Sequence, residues 1–373
     1  MVTKLVLTDL AETGSVVGRL SGIGTVGAIA GTVLTGFVFL AALPVSSVLV
    51  ATGVLLVLSA AAVEWRVRGI RAAVLPIVLL VPGALGAAFG PGQCEAETVY
   101  HCAQVQTDPV RDSGRVLVLD SLRHSYVDLQ DPTHLEFQYV QALAAVADTA
   151  FPADEPLTAY HLGGGGLTLP RYLEGVRPGT SSVVSEIDPG VLEIDEERLG
   201  LVTGPDMDVR LEDARLGLRR LDTDSRDLVV GDAFGGISVP WHLTTREALV
   251  DVHRVVRPDG IYAANLIDFA PLAFARSELA TMRTVFDHVA VASDAATLGR
   301  EVGSGGNVVA IGSDSPLDLV ALREGFGAQG LDWEVVDGTD LDAWVGDAQV
   351  LTDDFAPVDQ LLTPYPTARR PVA

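Results

Sequence analysis

The chain has 373 residues, with 25 basic and 49 acidic side chains and a formal charge of -24. The charge is unevenly placed: residues 1–90 carry five bases and three acids, so residues 91–373 hold a net -26. A surface this acidic repels phosphate backbones and argues against a nucleic-acid partner. Two cysteines, Cys94 and Cys102, are too few for a disulfide scaffold or a four-cysteine zinc site.

A mean hydropathy of +0.34 in so charged a chain means that its apolar residues are concentrated. Residues 20–63 contain no ionisable side chain, with Pro44 near the middle. A run of about 20 apolar residues crosses a bilayer core. The stretch therefore predicts two spanning helices, at 20–43 and 45–63. A third charge-free run at 72–94, broken by Pro76, Pro82 and Pro91, is a weaker candidate. Gly14, Gly18 and Gly22, then Gly27 and Gly31, recur at a spacing that lets membrane helices approach closely. Glycine is also simply frequent in such helices.

Residues 1–92 are accordingly expected to form a multi-pass membrane region. It would contact lipid and serve as an anchor or as part of a larger bundle, with another membrane subunit or a second copy of the chain. Arg19, Arg66, Arg68 and Arg71 mark cytoplasmic flanks. Two crossings leave the acidic part inside and three leave it outside, so its face stays open, as does pairing of Cys94 with Cys102. Lys4 is the sole lysine against 24 arginines. With the acid excess this reads as a halophilic proteome, although a GC-rich genome gives the same bias.

Residues 93–150 predict a small β-hairpin domain and a linking helix. Alternating segments at 98–105 and 115–119 flank Asp112-Ser113-Gly114. Asp131-Pro132 reads as a helix start, continued by Leu135, Tyr139, Leu143 and Val146. From 151 to 373 strands alternate with helices. Strands are expected at 157–162, 181–187, 208–211, 227–230, 261–267 and 308–311, and helices at 189–199 and 244–256. Alternation of this kind builds a mostly parallel sheet covered by helices, an α/β Rossmann-like domain. Ligands of such sheets bind beyond the carboxyl ends of the strands, at the switch point.

The chemistry concentrates there. Gly163, Gly164, Gly165 and Gly166 follow the first strand, where glycines let the backbone approach a ligand. Glu186 ends the next strand, 23 residues beyond Gly163, placed to accept from two ribose hydroxyls. Asp188 precedes Pro189 and reads as a helix cap. Asp213-Ala214 follows the third strand, where a carboxylate can accept from an adenine amino group. Asp232 follows the fourth, at the mouth of the site. Loop aspartates are also common turn formers. His101 and His124 alone do not make a metal site. Trp241 could lid the pocket or pack, and Asp353-Asp354 reads as a cap.

The stretch Tyr160-His161-Leu162-Gly163-Gly164-Gly165-Gly166 with Ser185-Glu186-Ile187-Asp188 resembles the spermidine synthase family, the polyamine aminopropyltransferases. So do Asp227-Leu228-Val229-Val230-Gly231-Asp232, Leu243-Thr244-Thr245-Arg246-Glu247, Tyr100, Leu119-Asp120 and Glu136-Phe137-Gln138-Tyr139. Residues 351–359 are similar to the closing motif of a membrane-fused branch, in which a transporter-like helical bundle precedes the synthase domain. The resemblance implies a small N-terminal β-domain before a methyltransferase-like Rossmann domain. It also implies transfer of an aminopropyl group from decarboxylated S-adenosylmethionine to putrescine or a related amine, without metal. In that reading Asp232 is the base, Glu186 holds the ribose, Asp213 the adenine, and Tyr139 lines the amine channel.

The chain departs from the family where the family holds amines. Gly166 and Gly235 stand where the family carries aspartates, Val140-Gln141 replaces a His-Glu pair, and His101 and His124 replace glutamines. Asp120, Glu136 and Asp268 are candidates to compensate, with Asp120 taken as substrate-binding. The loss at Gly166 leaves open methyl transfer from intact S-adenosylmethionine to another acceptor. A non-catalytic nucleoside-binding sensor or scaffold is a further alternative.

Overall fold

The computed structural model describes residues 13–39, 43, 45–69, 78, 83 and 94–363. The expected third apolar segment lies outside these apart from three single positions. The chain divides into two compact units, Met1–Val99 and Tyr100–Ala373.

The first unit contains helices α1 (Thr13–Leu34), extended by a π-turn at Thr35–Phe39, and α2 (Val45–Arg68), then a two-residue strand, β1 (Ala96–Glu97). Both helices are long and apolar enough to cross a membrane. Four of their hydroxyls bond to the preceding turn: Thr25 to the Ser21 carbonyl at 3.0 Å, Thr32 to Ala28 at 3.0 Å, Thr52 to Val48 at 2.8 Å and Ser59 to Leu55 at 2.7 Å. Hydroxyls used in this way leave no unpaired donor for an apolar surrounding. Neither Cys94 nor Cys102 carries a free thiol; both are in the disulfide form.

The second unit opens with an antiparallel meander, β2 (Cys102–Thr107), β3 (Gly114–Leu119) and β4 (Leu122–Asp128). The sequence pattern yields the first two strands and misses the third, because β4 reads Leu-Arg-His-Ser-Tyr-Val-Asp and alternates poorly. The helix expected from Asp131 starts later, as α3 (Gln138–Ala150). Asp131 instead caps a turn, its carboxylate accepting from the Thr133 amide at 3.1 Å and hydroxyl at 2.6 Å. An aspartate satisfied two residues on does not need a helix to serve.

Eight strands follow in one sheet. In chain order the elements are β5 (Thr158–Leu162), α4 (Thr168–Val176), β6 (Ser181–Glu186), α5 (Pro189–Arg198), β7 (Met207–Leu211), α6 (Ala214–Leu218) and β8 (Arg226–Gly231). Then come α7 (Arg246–Val255), β9 (Val256–Phe269), α8 (Ala273–Met282), β10 (His288–Asp294), α9 (Ala295–Leu298) and β11 (Gly305–Ser313). The unit closes with α10 (Leu319–Ala328), β12 (Trp333–Asp337), α11 (Gly338–Val345) and α12 (Val358–Leu361). The strand order is β12-β10-β11-β9-β8-β5-β6-β7, parallel from β7 to β9 and antiparallel beyond. The α/β, methyltransferase-like Rossmann expectation holds. Chain order reverses between β5 and β8, which places the crevice at their carboxyl ends.

Alternation along β5 sends Tyr160 and Leu162 into one core with Leu249 and Phe274, and Ala159 into the other with Leu143 and Phe326. Asp188 caps α5 as expected, accepting from the Gly190 amide at 2.9 Å. Asp353 pins the C-terminal segment, pairing with Arg215 at 2.8 Å through both oxygens and with the Thr245 hydroxyl at 2.7 Å. Leu143, 2% exposed, is the apolar centre of the α3 face. Leu143→Ala is expected to cost about 2–5 kcal/mol, measured by urea unfolding of the full chain.

Candidate active site

A cavity of about 570 Å³ opens at the carboxyl ends of β5, β6, β8 and β9, under the β3–β4 hairpin. That volume is in the range of small-molecule sites. Gly163, Gly164, Gly165, Glu186, Asp213, Ala214, Tyr139 and Asp232 all line it, so most of the residues singled out from the sequence converge.

The glycine loop has a specific reason at each position. Gly163 has φ +96°, and a Cβ there would lie 2.5 Å from the Asp232 carbonyl oxygen and 2.9 Å from Ala233 Cα. Backbone meets backbone at this point, so no side chain can be accommodated. Glu186, 8% exposed, holds the next turn: one oxygen accepts from the Gly164 amide at 2.9 Å and the Gly165 amide at 3.3 Å. The other oxygen accepts from the Asp188 amide at 2.8 Å. A carboxylate offers about four lone-pair sites, so capacity for a further donor remains on the cavity side.

Asp213 is the N-cap of α6, accepting from the Leu216 amide at 3.0 Å, while its other oxygen pairs with His242 Nε2 at 2.9 Å. It lines the cavity and acts there as part of an aspartate–histidine pair that the sequence did not suggest. Ala214 faces the same space, its carbonyl accepting from the Tyr160 hydroxyl at 2.8 Å.

Asp232 is enclosed by the protein, and burial pushes its carboxyl up to about 6. Two hydrogen bonds oppose that rise. Asn265 Nδ2 donates to Oδ1 at 2.8 Å, and the Tyr139 hydroxyl stands within bonding reach. Asn265 is itself oriented by Asn307, whose amide nitrogen donates to its Oδ1 at 2.9 Å. Neither asparagine was found from the sequence. The available signal was a polar amide inside the apolar run 261–267, a position that a buried strand tolerates only when its hydrogen bonds are met.

The opposite wall is different in character. The single Tyr139 hydroxyl hydrogen has a second acceptor in the His124 carbonyl oxygen at 3.1 Å, an alternative to Asp232, and burial raises its phenol well above the ordinary range. His124 is pushed down to about 4 by burial and by neighbouring His101, so it is neutral near pH 7. Glu136 and Arg123 stand nearer the rim, with the Arg123 guanidinium 5.0 Å over the Phe137 ring.

Three compensating acids do not behave alike. Asp120 is displaced from its expected role: it sits on the β3–β4 turn with φ +57°, outside the cavity lining. It accepts from the Cys102 amide at 3.0 Å and pairs with His101 Nδ1 at 3.1 Å. The left-handed turn fixes its side chain toward β2, so it orients His101 and does not face the cavity. Asp268 is fully buried and accepts from the amides of Phe269, Phe274, Ala275 and Thr363. It closes a loop. Only Glu136 faces the cavity.

The missing acid at Gly166 has a structural counterpart. The Gly166 amide donates to Ser125 Oγ at 2.9 Å, and a Cβ at 166 would lie 2.9 Å from Ser125 Cβ and 3.0 Å from Val127 Cγ2. The β4 strand of the hairpin fills the space a side chain at 166 would take. Trp241, half-exposed in a short 3₁₀ turn, is not among the lining residues. No group of three His, Cys, Asp or Glu side chains able to hold a metal occurs among the described residues.

The chain is 30% identical over 162 residues to a polyamine aminopropyltransferase of Vibrio vulnificus (strain CMCP6), a match spanning 43% of this chain and 53% of that protein. A polyamine aminopropyltransferase of Chromobacterium violaceum is 26% identical over 141 residues, 38% of this chain and 53% of the relative. Among solved structures, a probable spermidine synthase from Corynebacterium glutamicum ATCC 13032 aligns with a TM-score of 0.65 at 29% identity. That alignment covers 72% of this chain and 98% of the other. The chain is thus similar over part of its length to polyamine aminopropyltransferases and to a probable spermidine synthase. It spans about half the length of the curated relatives it matches. No protein-family model matches the chain. Spermidine synthases, as the sequence resemblance describes them, carry an acid where this chain has Gly166 packed against Ser125. Gly166→Asp is therefore expected to destabilise by about 1–3 kcal/mol through overpacking. Ser125→Gly added to it is expected to recover much of the loss, both read by thermal unfolding.

Proposed function

We propose that the acidic domain transfers an aminopropyl group from decarboxylated S-adenosylmethionine to putrescine or a related small amine. The observation that carries this is the buried Asp232 at the switch point, facing the same cavity as Glu186 and the glycine loop. Glu186, held by the amides of Gly164 and Gly165, takes the ribose end, with Asp213 and Ala214 at the base. Tyr139 and Asn265 orient the Asp232 carboxylate toward the acceptor.

The bound sulfonium makes the adjacent carbon electrophilic. The acceptor nitrogen forms a bond to that carbon, the carbon–sulfur bond breaks, and its electron pair leaves on sulfur as a neutral thioether. An amine attacks only when neutral, and its ordinary pKa is near 10. Asp232 takes the proton lost from nitrogen, a general-base role. Residues 1–92 are proposed to anchor the domain to a membrane, as the two long apolar helices support. Lipid, a second copy of the chain or another membrane subunit would be their partners. The acid excess supports assays at high salt, where screening relieves self-repulsion.

Methyl transfer from S-adenosylmethionine is the second reading, supported by Ser125 filling the space where an acid would oppose the methionine carboxylate. Mass spectrometry of products separates the two. With decarboxylated S-adenosylmethionine and putrescine, agmatine or spermidine, the amine should gain an aminopropyl mass. A methyl gain with the intact cofactor would replace the first reading. Bound nucleoside without turnover of either would leave a sensor or scaffold.

The base must be ionised to act. Below a pH of about 6 Asp232 is protonated, so kcat/KM should fall about tenfold per pH unit there. Asp232→Asn should lower kcat by about 10²–10⁴-fold while leaving methylthioadenosine affinity within about threefold, read by steady-state kinetics and calorimetry.

A further inference from the structure

Two features behind Asp232 have no part in the reaction as described. His161, on β5, is 3% exposed, and its Nε2 is buried with no hydrogen-bond partner in the protein. Beside it lies a second, smaller cavity of about 30 Å³, whose polar lining is His161, Asp232, Tyr139, Ser125 and Thr168. Alternation on the sheet accounts for the placement. Residues 159 and 161 point to the α3 side of β5, and Val230 and Asp232 point the same way at the end of β8.

A buried nitrogen without a partner costs free energy, and native proteins rarely leave one so. A cavity holds a water once it offers more than about 10–15 Å³ and two to four polar partners. This cavity meets both conditions. We propose that a water molecule bridges His161 Nε2 to the Asp232 carboxylate from behind, making His161 a positioning residue for the base. The inference rests on Asp232 being the proton acceptor.

The bridge works with either tautomer of histidine. Burial pushes His161 down to about 3, so the ring is neutral in the working range. The water gives one hydrogen to Asp232 and either accepts from Nε2–H or donates to a bare Nε2. Asn265 supplies its donor from the sheet side, and the water adds one from the α3 side. A hydrogen bond to the charged form favours that form. The other titratable groups facing the pair are few. Tyr139 comes from α3, His124 from β4, and Glu186 from β6 across the glycine loop. The remaining surrounding elements bring Thr168 from α4, Asn265 from β9 and Asn307 from β11, none of which titrates.

His161→Leu removes the partner at similar volume. The acid limb of the pH–rate profile is expected to move up by about one pH unit, with methylthioadenosine affinity unchanged within about threefold. His161→Gln keeps a polar group for the water and should return the limb to near its original position. An unmoved limb in His161→Leu overturns the proposal, and so does an equal shift in His161→Gln.

The titration can also be followed without turnover. In the full chain labelled with ¹³C-aspartate, the carboxyl signal missing from Asp232→Asn should titrate higher in His161→Leu than in the unsubstituted chain. If no aminopropyl transfer is found, the reaction fails while this signal still decides the bridge. Should His161→Leu not fold, a crystal structure of the unsubstituted chain that resolves waters decides instead. Density between His161 and Asp232 supports the bridge, and an empty cavity refutes it.

Discussion

The site depends on one short reach, from the Glu186 carboxylate to the amides of Gly164 and Gly165. Gly163 has already brought the chain so close to Asp232 and Ala233 that only hydrogen fits between them. A loop turned this tightly needs an anion to collect its amides, as nests and helix N-termini do. Glu186 is that anion, and it comes from the neighbouring parallel strand. The same contact holds the loop beside Asp232, so the proposed nucleoside and proton-accepting ends share one anchor.

The two halves of the cavity differ in how they use charge. At the Glu186 end acids are engaged: Glu186 by backbone amides, Asp213 by α6 and His242, Glu212 by Arg220 and Ser185. At the other end the Asp232 carboxylate is buried without a cation, beside Asn265 and Tyr139. Burial raises its proton affinity and the two donors restrain the rise, leaving a base that is ionised near neutrality and still able to take a proton. The neutral His124 and the Arg123 guanidinium over Phe137 line this wall and offer no carboxylate to a cation. On the proposed reading, selectivity for an acceptor would rest on Glu136 and shape more than on a ring of carboxylates.

What was legible from sequence had a period or a spacing. Alternating strands, the glycine run and the acids after successive strands placed the sheet, its switch point and the approximate positions of Glu186, Asp213 and Asp232. What was not legible depends on contacts between distant segments. Ser125 against Gly166 spans 41 residues and Asn265 to Asp232 spans 33, and no local pattern reports either. Asp120 and Asp131 misled for one shared reason. A short carboxylate beside a turn is satisfied locally before it can reach a ligand or start a helix. Strand β4 was missed because its outward residues must serve the cavity and so break simple alternation.

The central claim is that Glu186 both shapes the glycine loop and receives the nucleoside. Calorimetric titration of the full chain with methylthioadenosine, with and without Glu186→Ala, tests it directly. Losing an anchored, charge-assisted contact and the loop's geometry together should weaken binding by at least about 100-fold. Equal affinity in the two proteins would contradict the account.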